Sequence, residues 1–345
     1  MKAKRLIGFI LCVGLLSFYS VRDPLFKNPK SFPEPVYPFH LNPLKKEKIQ
    51  LGRILFYDPI LSKDQSISCE SCHSPYNAFA HTDHSLSHGI HDSIGTRNAP
   101  GLFNLAWQTS FMWDGAINHL DMQALAPISH PNEMGETLTH VIDKLNQKFY
   151  PILFKSAFGD SLITGERILK SLSQFLLTLT SNNAKYDRVK EGKASFTKQE
   201  QNGYMLFKKN CGVCHTEPLF SSYSFANNGL PLDNELNDYG KGALTFKPED
   251  SFQFKIPSLR NLSYTYPYMH DGRFKKLYEV LNHYTDGITK SPNLSKHLQK
   301  PMVLSSHEKV DLLSFLLTLN DSDFVFNKKN TYPPYLKNKN EGFTK

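Results

Sequence analysis

Four of the five cysteines in this 345-residue chain fall into two short repeats of one pattern. The repeats are Cys69-Glu-Ser-Cys72-His73 and Cys211-Gly-Val-Cys214-His215, each a C-x-x-C-H motif. Positions three apart share one face of a helical turn, so both thiols can reach the two vinyl groups of one porphyrin. The adjacent histidine can then bind its iron. A four-cysteine zinc site or two disulfides would not explain a histidine after each second cysteine. The motifs therefore predict two covalent c-type haems.

The sequence around the two motifs also repeats. Gly52-Arg-Ile-Leu-Phe precedes the first motif and Gly203-Tyr-Met-Leu-Phe precedes the second. Phe175-Leu-Leu-Thr-Leu begins 106 residues after Cys69, and Phe315-Leu-Leu-Thr-Leu begins 104 residues after Cys211. We therefore predict a mainly α-helical fold with two cytochrome c-like domains that arose by duplication, at residues 40–185 and 190–325. The polar segment 182–195 is expected to join them.

Each unit is expected to open and close with a helix. The closing helices are predicted at about residues 165–181 and 305–320. Three capping signals predict helix starts, namely Asn42 before Pro43, Thr197 with Glu200, and Ser305 with Glu308. Strand signals are sparse.

Residues 1–20 have the layout of an export signal, with basic residues followed by an apolar run too short for a clear membrane span. This predicts a periplasmic protein. No clean pair of small residues marks a cleavage site, so an uncleaved membrane anchor stays open. Cys12 follows Leu11, where a lipoprotein signal needs a small residue, and this favours an unmodified cysteine.

The formal net charge is +8, from scattered lysines and a basic tail at residues 326–345. A solvated surface is favoured over a docking face for an acidic partner. No basic helix interleaved with aromatic residues predicts nucleic-acid binding.

Further segments carry a family resemblance. They are RNAP at residues 97–100, FMWDG at 111–115, FKIPSLRN at 254–261 and PYMHDG at 267–272. With the two haem motifs, they make the chain from about residue 42 to 320 resemble the bacterial di-haem cytochrome c peroxidases. It also resembles their relative, the methylamine-utilisation enzyme that matures tryptophan tryptophylquinone. The resemblance implies that hydrogen peroxide is cleaved at the haem on His73 and that the haem on His215 transfers electrons. It also implies a donor such as a small c-type cytochrome, and it leaves a homodimer open.

The resemblance also assigns roles to residues outside the haem motifs. Trp113 would lie between the haems, with a core aromatic as the alternative. Gln123 and Glu133 would face the peroxide, where a carboxylate can move a proton between its oxygens and an amide can orient it. For Glu133 the alternative is a solvated surface charge. Trp107 is expected only to pack.

A calcium ion is implied between the two domains. Its ligands would be Asn98 and the backbone carbonyls of Thr265 and Pro267, an all-oxygen set that suits calcium. The alternative is that Asn98 caps a turn.

One position departs from the family pattern. Some peroxidases close the first haem with a histidine on the loop before RNAP, and here Ile90 occupies that position, with His88 and His91 nearby. We expect that no histidine blocks this iron, although a shift of the loop by one residue could present His91.

The second ligand of the second haem is the most informative residue. Ordinary cytochrome c chemistry favours a methionine such as Met269. In the family, however, this ligand stands fourteen residues after the histidine of the PYMHDG-like turn, and fourteen residues after His270 is Tyr284. The ligand is methionine in typical peroxidases and tyrosine in the quinone-maturing relative. Leu277, Val280 and Leu281 share a helical face with Tyr284, so inward packing alone is the alternative.

Three functions are therefore weighed. The first is an exported peroxidase that reduces hydrogen peroxide to water with electrons from a c-type cytochrome. The second is an enzyme that uses peroxide to oxidise a protein or organic substrate. The third is a non-catalytic electron carrier or redox sensor.

Overall fold

The computed structural model describes residue 23, residues 25–334 and residue 336. The predicted export signal and the end of the basic tail lie outside the described residues. Within them, no helix is both long enough and apolar enough to span a bilayer.

The prediction of a mainly helical protein is confirmed. The helices are α1 Lys46–Tyr57, α2 Cys69–Cys72, α3 Leu120–Gln123, α4 Leu125–Ser129, α5 Leu138–Asn146, α6 Tyr150–Phe158, α7 Gly165–Leu177, α8 Lys185–Lys190, α9 Lys198–Asn210, α10 Gly242–Thr245, α11 Leu277–Asn282, α12 Ser306–Leu317 and α13 Ser322–Val325. A π-helical turn, His283–Gly287, continues α11. Strands β1 Phe225–Ala226 and β2 Phe254–Lys255 pair antiparallel, with Phe225 opposite Lys255.

Two helix crossings organise the fold, and each depends on one of the repeated glycines. Helix α1 packs on α7, and helix α9 packs on α12. A Cβ added at Gly52 would lie 1.8 Å from the carbonyl oxygen of Ser171 in α7, and one added at Gly203 would lie 1.9 Å from that of Asp311 in α12. Only glycine lets these backbones approach so closely. The repeated glycines therefore set the spacing of both helix pairs.

Replacing Gly203 with alanine is expected to lower the free energy of unfolding by about 3 kcal/mol or more, because α9 and α12 must separate. Chemical denaturation of the haem-loaded protein measures this loss. Gly165→Ala is the matched control, since its Cβ would meet only the flexible end of Leu138. A loss no larger than that of the control would contradict a backbone contact at the crossing.

A triad of phenylalanines packs inside each helix pair. Phe56, Phe79 and Phe175 have ring centroids 5.2 to 6.2 Å apart. The corresponding distances among Phe207, Phe220 and Phe315 are 5.1 to 6.2 Å. All six side chains are buried. Each triad joins an opening helix, a closing helix and the loop that follows a haem motif.

Two of the three predicted helix caps are confirmed. Thr197 with Glu200 and Ser305 with Glu308 form capping boxes. The prediction for Asn42 is wrong, because α1 begins at Lys46. The Asn42 side chain instead bonds to α7: its amide donates to the carbonyl of Lys170 over 3.1 Å and accepts from Gln174 over 2.7 Å.

The polar segment 182–195 contains a helix that was not predicted. Helix α8 places Asp187 in a buried, bidentate pair with Arg260, with N–O distances of 2.7 and 2.8 Å. Arg260 also donates to the carbonyl of Pro218 and lies 5.0 and 5.5 Å from the ring centroids of Phe32 and Phe220. The linker is thereby anchored to the loop after the second haem motif.

Replacing Arg260 with methionine is expected to lower the free energy of unfolding by about 3–5 kcal/mol, since it leaves the Asp187 carboxylate buried and unpaired. Thermal and chemical denaturation measure the effect. Arg167→Met is the control, because its pair with Asp160 is near the surface. The double variant Arg260→Met with Asp187→Leu should recover part of the loss, and failure to recover any would contradict the ion-pair explanation.

Candidate functional site

The first haem motif presents its two thiols and its histidine on one short turn. Helix α2 spans Cys69–Cys72, and Ser68 and Ser71 bond at its start. The Nδ1 atom of His73 lies 2.7 Å from the carbonyl oxygen of Phe79. Burial lowers the pKa of His73 to about 4, so its imidazole is neutral at physiological pH. A proton on Nδ1 shared with that carbonyl leaves the Nε2 lone pair free for iron.

The second motif repeats this arrangement at the end of α9. His215 Nδ1 lies 3.2 Å from the carbonyl oxygen of Phe220 and 3.1 Å from that of Pro257. Burial again lowers the histidine pKa to about 4. Phe79 and Phe220, the carbonyl partners, are also the loop members of the two phenylalanine triads. Both motifs thus fit a covalent haem with a neutral, oriented histidine ligand.

Glu133 lies next to the first motif. Its carboxylate contributes to raising the pKa of the Cys72 thiol, after burial, which has the larger effect. Burial also raises the pKa of Glu133 itself, and Nδ1 of His130 lies 3.8 Å from its carboxylate. The Glu133 carbonyl accepts a 2.8 Å hydrogen bond from the backbone of Ile90. A partly buried acid therefore lies near Cys72 of the first motif.

Gln123 is at the end of α3 and points towards a different loop. Its amide nitrogen lies 3.9 Å from the sulfur of Met112, the residue before Trp113. No hydrogen bond joins Gln123 to Glu133 among the described residues.

The two candidate histidines on the loop before RNAP each have an acidic partner. Ile90 is buried against Gly135. His91 has 72% of its side chain exposed and faces Asp64 at 3.8 Å. His88 bonds to Asp92 over 2.8 Å and stacks on His84. The backbone carbonyl oxygen of His88 lies 3.4 Å from the sulfur of Cys72.

Trp113 is held by both halves of the chain. Its indole nitrogen donates to the carbonyl of Asn98 over 2.8 Å, and its own carbonyl accepts from the backbone of Lys255 over 2.7 Å. The next residue, Asp114, pairs with Arg97, which also binds Asp238 through two hydrogen bonds. Trp107 instead packs in the core and donates to Pro33.

Asn98, one of the residues expected to bind calcium, belongs to the same junction. Asn98 is buried, its backbone N–H donates to the carbonyl of His270 over 2.7 Å, and its side-chain nitrogen donates to that of Ser85 over 3.0 Å. These bonds bring the RNAP loop to the PYMHDG turn, close in sequence to Thr265 and Pro267. Among the described residues, no cluster of three or more His, Cys, Asp or Glu could hold a metal ion, and the expected ligands are none of these types.

Tyr284 is the candidate ligand that faces the second motif. Its pKa is raised to about 12, first by burial and also by the neighbouring Cys211 and Cys214. A hydrogen bond from the Asn228 side chain acts in the opposite direction, because an N–H directed at the phenol oxygen favours the phenolate. The same amide lies 3.6 Å from the sulfur of Met269. The Asn228 side chain therefore contacts both Tyr284 and Met269.

The two histidines of this region have other partners. His283 Nε2 lies 3.1 Å from the carbonyl oxygen of Asn228, and His270 stacks on Phe254 with ring centroids 3.7 Å apart.

The sequence did not single out Asn228. It belongs to no motif, and its position beside Tyr284 depends on the packing of two segments 56 residues apart in the chain.

Comparison with known proteins gives one consistent family. A family model described as di-haem cytochrome c peroxidase matches residues 46–195. The methylamine utilization protein MauG of Methylorubrum extorquens is 38% identical over 305 residues, which cover 85% of this chain and 83% of that protein. The cytochrome c551 peroxidase of Nitrosomonas europaea is 36% identical over 248 residues, or 69% of this chain and 73% of that protein.

A crystal structure of a MauG-like protein associated with microbial copper homeostasis has the same fold. It superposes with a TM-score of 0.78 at 31% identity and covers 89% of this chain and 98% of its own. Together with the paired haem motifs, these relatives show that the chain belongs to the di-haem cytochrome c peroxidase family of oxidoreductases.

Proposed function

We propose that this protein is an exported peroxidase that reduces hydrogen peroxide to water with electrons from a c-type cytochrome. The observation that carries the proposal is an asymmetry between the two haem motifs. Their histidines are held alike, but Glu133 lies near the first motif, where His91 is exposed and faces Asp64, whereas the buried Tyr284 lies near the second. One haem would be open to peroxide and the other closed for electron transfer.

The proposal includes two domains, at residues 40–185 and 190–325, that arose by duplication. The two glycine crossings and the two phenylalanine triads support this division. Cys69, Cys72 and His73 would hold the first haem, and Cys211, Cys214 and His215 the second, each cysteine through a thioether bond.

Bound haem supplies the redox centre for the two-electron reduction of peroxide. Glu133 would take a proton from the peroxide oxygen nearer the iron and return it to the departing oxygen. Its pKa, raised by burial, makes the protonated form easier to reach than in an ordinary glutamate, which suits a group that both accepts and donates a proton. Gln123 would position the peroxide by donating a hydrogen bond, after its side chain leaves Met112.

Trp113 would carry electrons between the two halves, since its hydrogen bonds connect it to both. A calcium ion held by Asn98, Thr265 and Pro267 would stiffen the same junction. The export signal at residues 1–20 would deliver the chain to the periplasm.

Steady-state peroxide consumption by the haem-loaded protein, with a reduced c-type cytochrome as donor, tests the proposal. We expect cytochrome oxidation in a ratio of two electrons per peroxide. If neither the reduced nor the oxidised protein reacts with peroxide, a non-catalytic electron carrier is favoured instead.

A second candidate function is the peroxide-driven oxidation of a protein or organic substrate. Tyr284 favours it, because a phenolate ligand stabilises ferric and higher iron and should disfavour electron uptake from a high-potential cytochrome. The similarity to MauG is in line with this candidate. Rapid oxidation of an organic reporter by peroxide, with slow oxidation of reduced cytochrome, would select it over the first.

A further inference from the structure

A lysine with a buried ammonium adjoins the segment that carries Trp113. Lys255, in β2, donates its backbone N–H to the Trp113 carbonyl. Its side-chain nitrogen donates to the amide oxygen of Gln108 over 2.9 Å and to the carbonyl of Ser110 over 2.7 Å. It also lies 5.7 Å from the ring centroid of Phe111. The residue is partly exposed, but burial of its ammonium lowers the pKa to about 8.

The Lys255 charge is not cancelled by a bonded carboxylate. Both of its side-chain partners are neutral, and within the described part of the chain it forms no ion pair. Asp114 is the acidic group that acts on it most, but that carboxylate is bound to Arg97 at 2.6 Å. An ammonium in this position contributes a positive potential to residues 108–114 that solvent screens weakly.

The hydrogen bond of Trp113 defines what its oxidation would produce. The indole N–H donates to the Asn98 carbonyl, which is too weak a base to take the proton. Loss of one electron would therefore leave a positive charge on the indole of Trp113, the residue to which the Lys255 backbone is bonded. A second positive charge in one weakly screened region raises the free energy of the oxidised form.

We propose that Lys255 is a positioning residue that keeps Trp113 reduced between transfer events, so that Trp113 passes electrons without storing an oxidising equivalent. This inference rests on the proposed function, with hydrogen peroxide as oxidant and a cytochrome as reductant. In each event one electron leaves Trp113 on the peroxide-reducing side and one returns from the donor side. No bond forms or breaks, and the indole proton stays in place.

Damage to Trp113 provides the readout. An indole that stays oxidised gains one oxygen, in the net reaction of tryptophan with hydrogen peroxide to give hydroxytryptophan and water. The haem-loaded protein would be treated with peroxide in the absence of donor and digested, and oxygenated Trp113 would be quantified by mass spectrometry. Trp107, buried and bonded to Pro33, is the internal reference in the same sample.

Three variants separate charge from packing. Lys255→Gln keeps a hydrogen-bond donor without the charge, Lys255→Met keeps the length alone, and Lys255→Arg keeps the charge. We expect the first two to increase oxygenation of Trp113 on the order of tenfold over the native chain, with Trp107 unchanged. Lys255→Arg should remain near the native level. If Lys255→Met does not fold, Lys255→Gln carries the comparison.

Equal oxygenation of Trp113 in the native chain and Lys255→Gln would overturn the inference. So would a rise in Lys255→Arg as large as that in Lys255→Gln, because the effect would then be due to packing. Failure of the proposed function is recognised separately. If Trp113→Phe consumes peroxide with reduced cytochrome at the native rate, Trp113 is not the electron path. The role proposed for Lys255 would then be wrong as well.

Discussion

Replacing Glu133 with glutamine is expected to lower kcat/KM for hydrogen peroxide by about 10²–10⁴-fold, the usual contribution of a general acid–base group. Glutamine has a similar shape and can still bond to peroxide, but it cannot move the proton that cleavage of the O–O bond requires. Stopped-flow measurement of the reaction with peroxide gives the rate directly. The absorption spectra of both haems should stay unchanged, because Glu133 is not an iron ligand.

The control for Glu133→Gln is Glu70→Gln, which removes a second carboxylate with a raised pKa from the first haem motif. This variant should keep peroxide kinetics within a few-fold of native. Equal losses in the two variants would show a general effect of charge near the first haem and would remove the specific role of Glu133.

The pH profile gives a second test of Glu133. The free enzyme needs the carboxylate form to accept a proton, so kcat/KM should fall as pH falls through the pKa of Glu133. Because burial raises that pKa, the fall should begin at a higher pH than for an ordinary glutamate. The glutamine variant should lose this part of the profile.

Replacing Tyr284 with phenylalanine is expected to change the absorption spectrum of the second haem and raise its reduction potential. The shift should be on the order of 0.1 V or more, since axial ligands set haem potentials over a range of about 0.8 V. Removing a phenolate removes a negative charge that stabilises ferric iron. Spectroelectrochemistry measures both effects. Met269→Leu is the control, and it should change neither. The opposite pattern would assign the site to ordinary histidine and methionine ligation.

Ligation by Tyr284 should also depend on pH in a definite direction. Burial raises the pKa of this phenol to about 12, so binding to iron must displace a proton. The tyrosine-bound spectrum should therefore weaken as pH falls. Asn228→Leu should make it weaken at a higher pH, because the variant lacks the N–H that stabilises the phenolate.

Much of the helical fold could be predicted because its signals are local. Thr197 with Glu200 and Ser305 with Glu308 satisfy backbone groups within one turn, so a few residues suffice to identify them. The repeated glycines could be located in the sequence, but the sequence did not show that they allow two helix backbones to approach closely. Only the crossings show that Gly52 and Gly203 meet carbonyls more than one hundred residues away.

The failures came from tertiary contacts that override local preference. Asn42 matches the sequence pattern of a helix cap. Its side chain instead forms hydrogen bonds with Lys170 and Gln174 of α7, so it does not cap α1. Helix α8 was missed because one of its two buried residues, Asp187, is charged, and the burial of Asp187 depends on Arg260, 73 residues further along the chain. Asn228 and Lys255 were missed as site residues for the same reason, since their partners lie far away in sequence.

Equivalent contacts hold the two haem motifs in place, and this affects how a protein of this fold can acquire a new activity. In each half, the same three features recur, namely a glycine crossing, a phenylalanine triad and a carbonyl bound to histidine Nδ1. The residues that distinguish the halves, Glu133, Ile90 and Tyr284, take no part in these contacts. A new reactivity at either motif can therefore arise by substitution at such positions, while the helices and loops that hold each motif keep their shape.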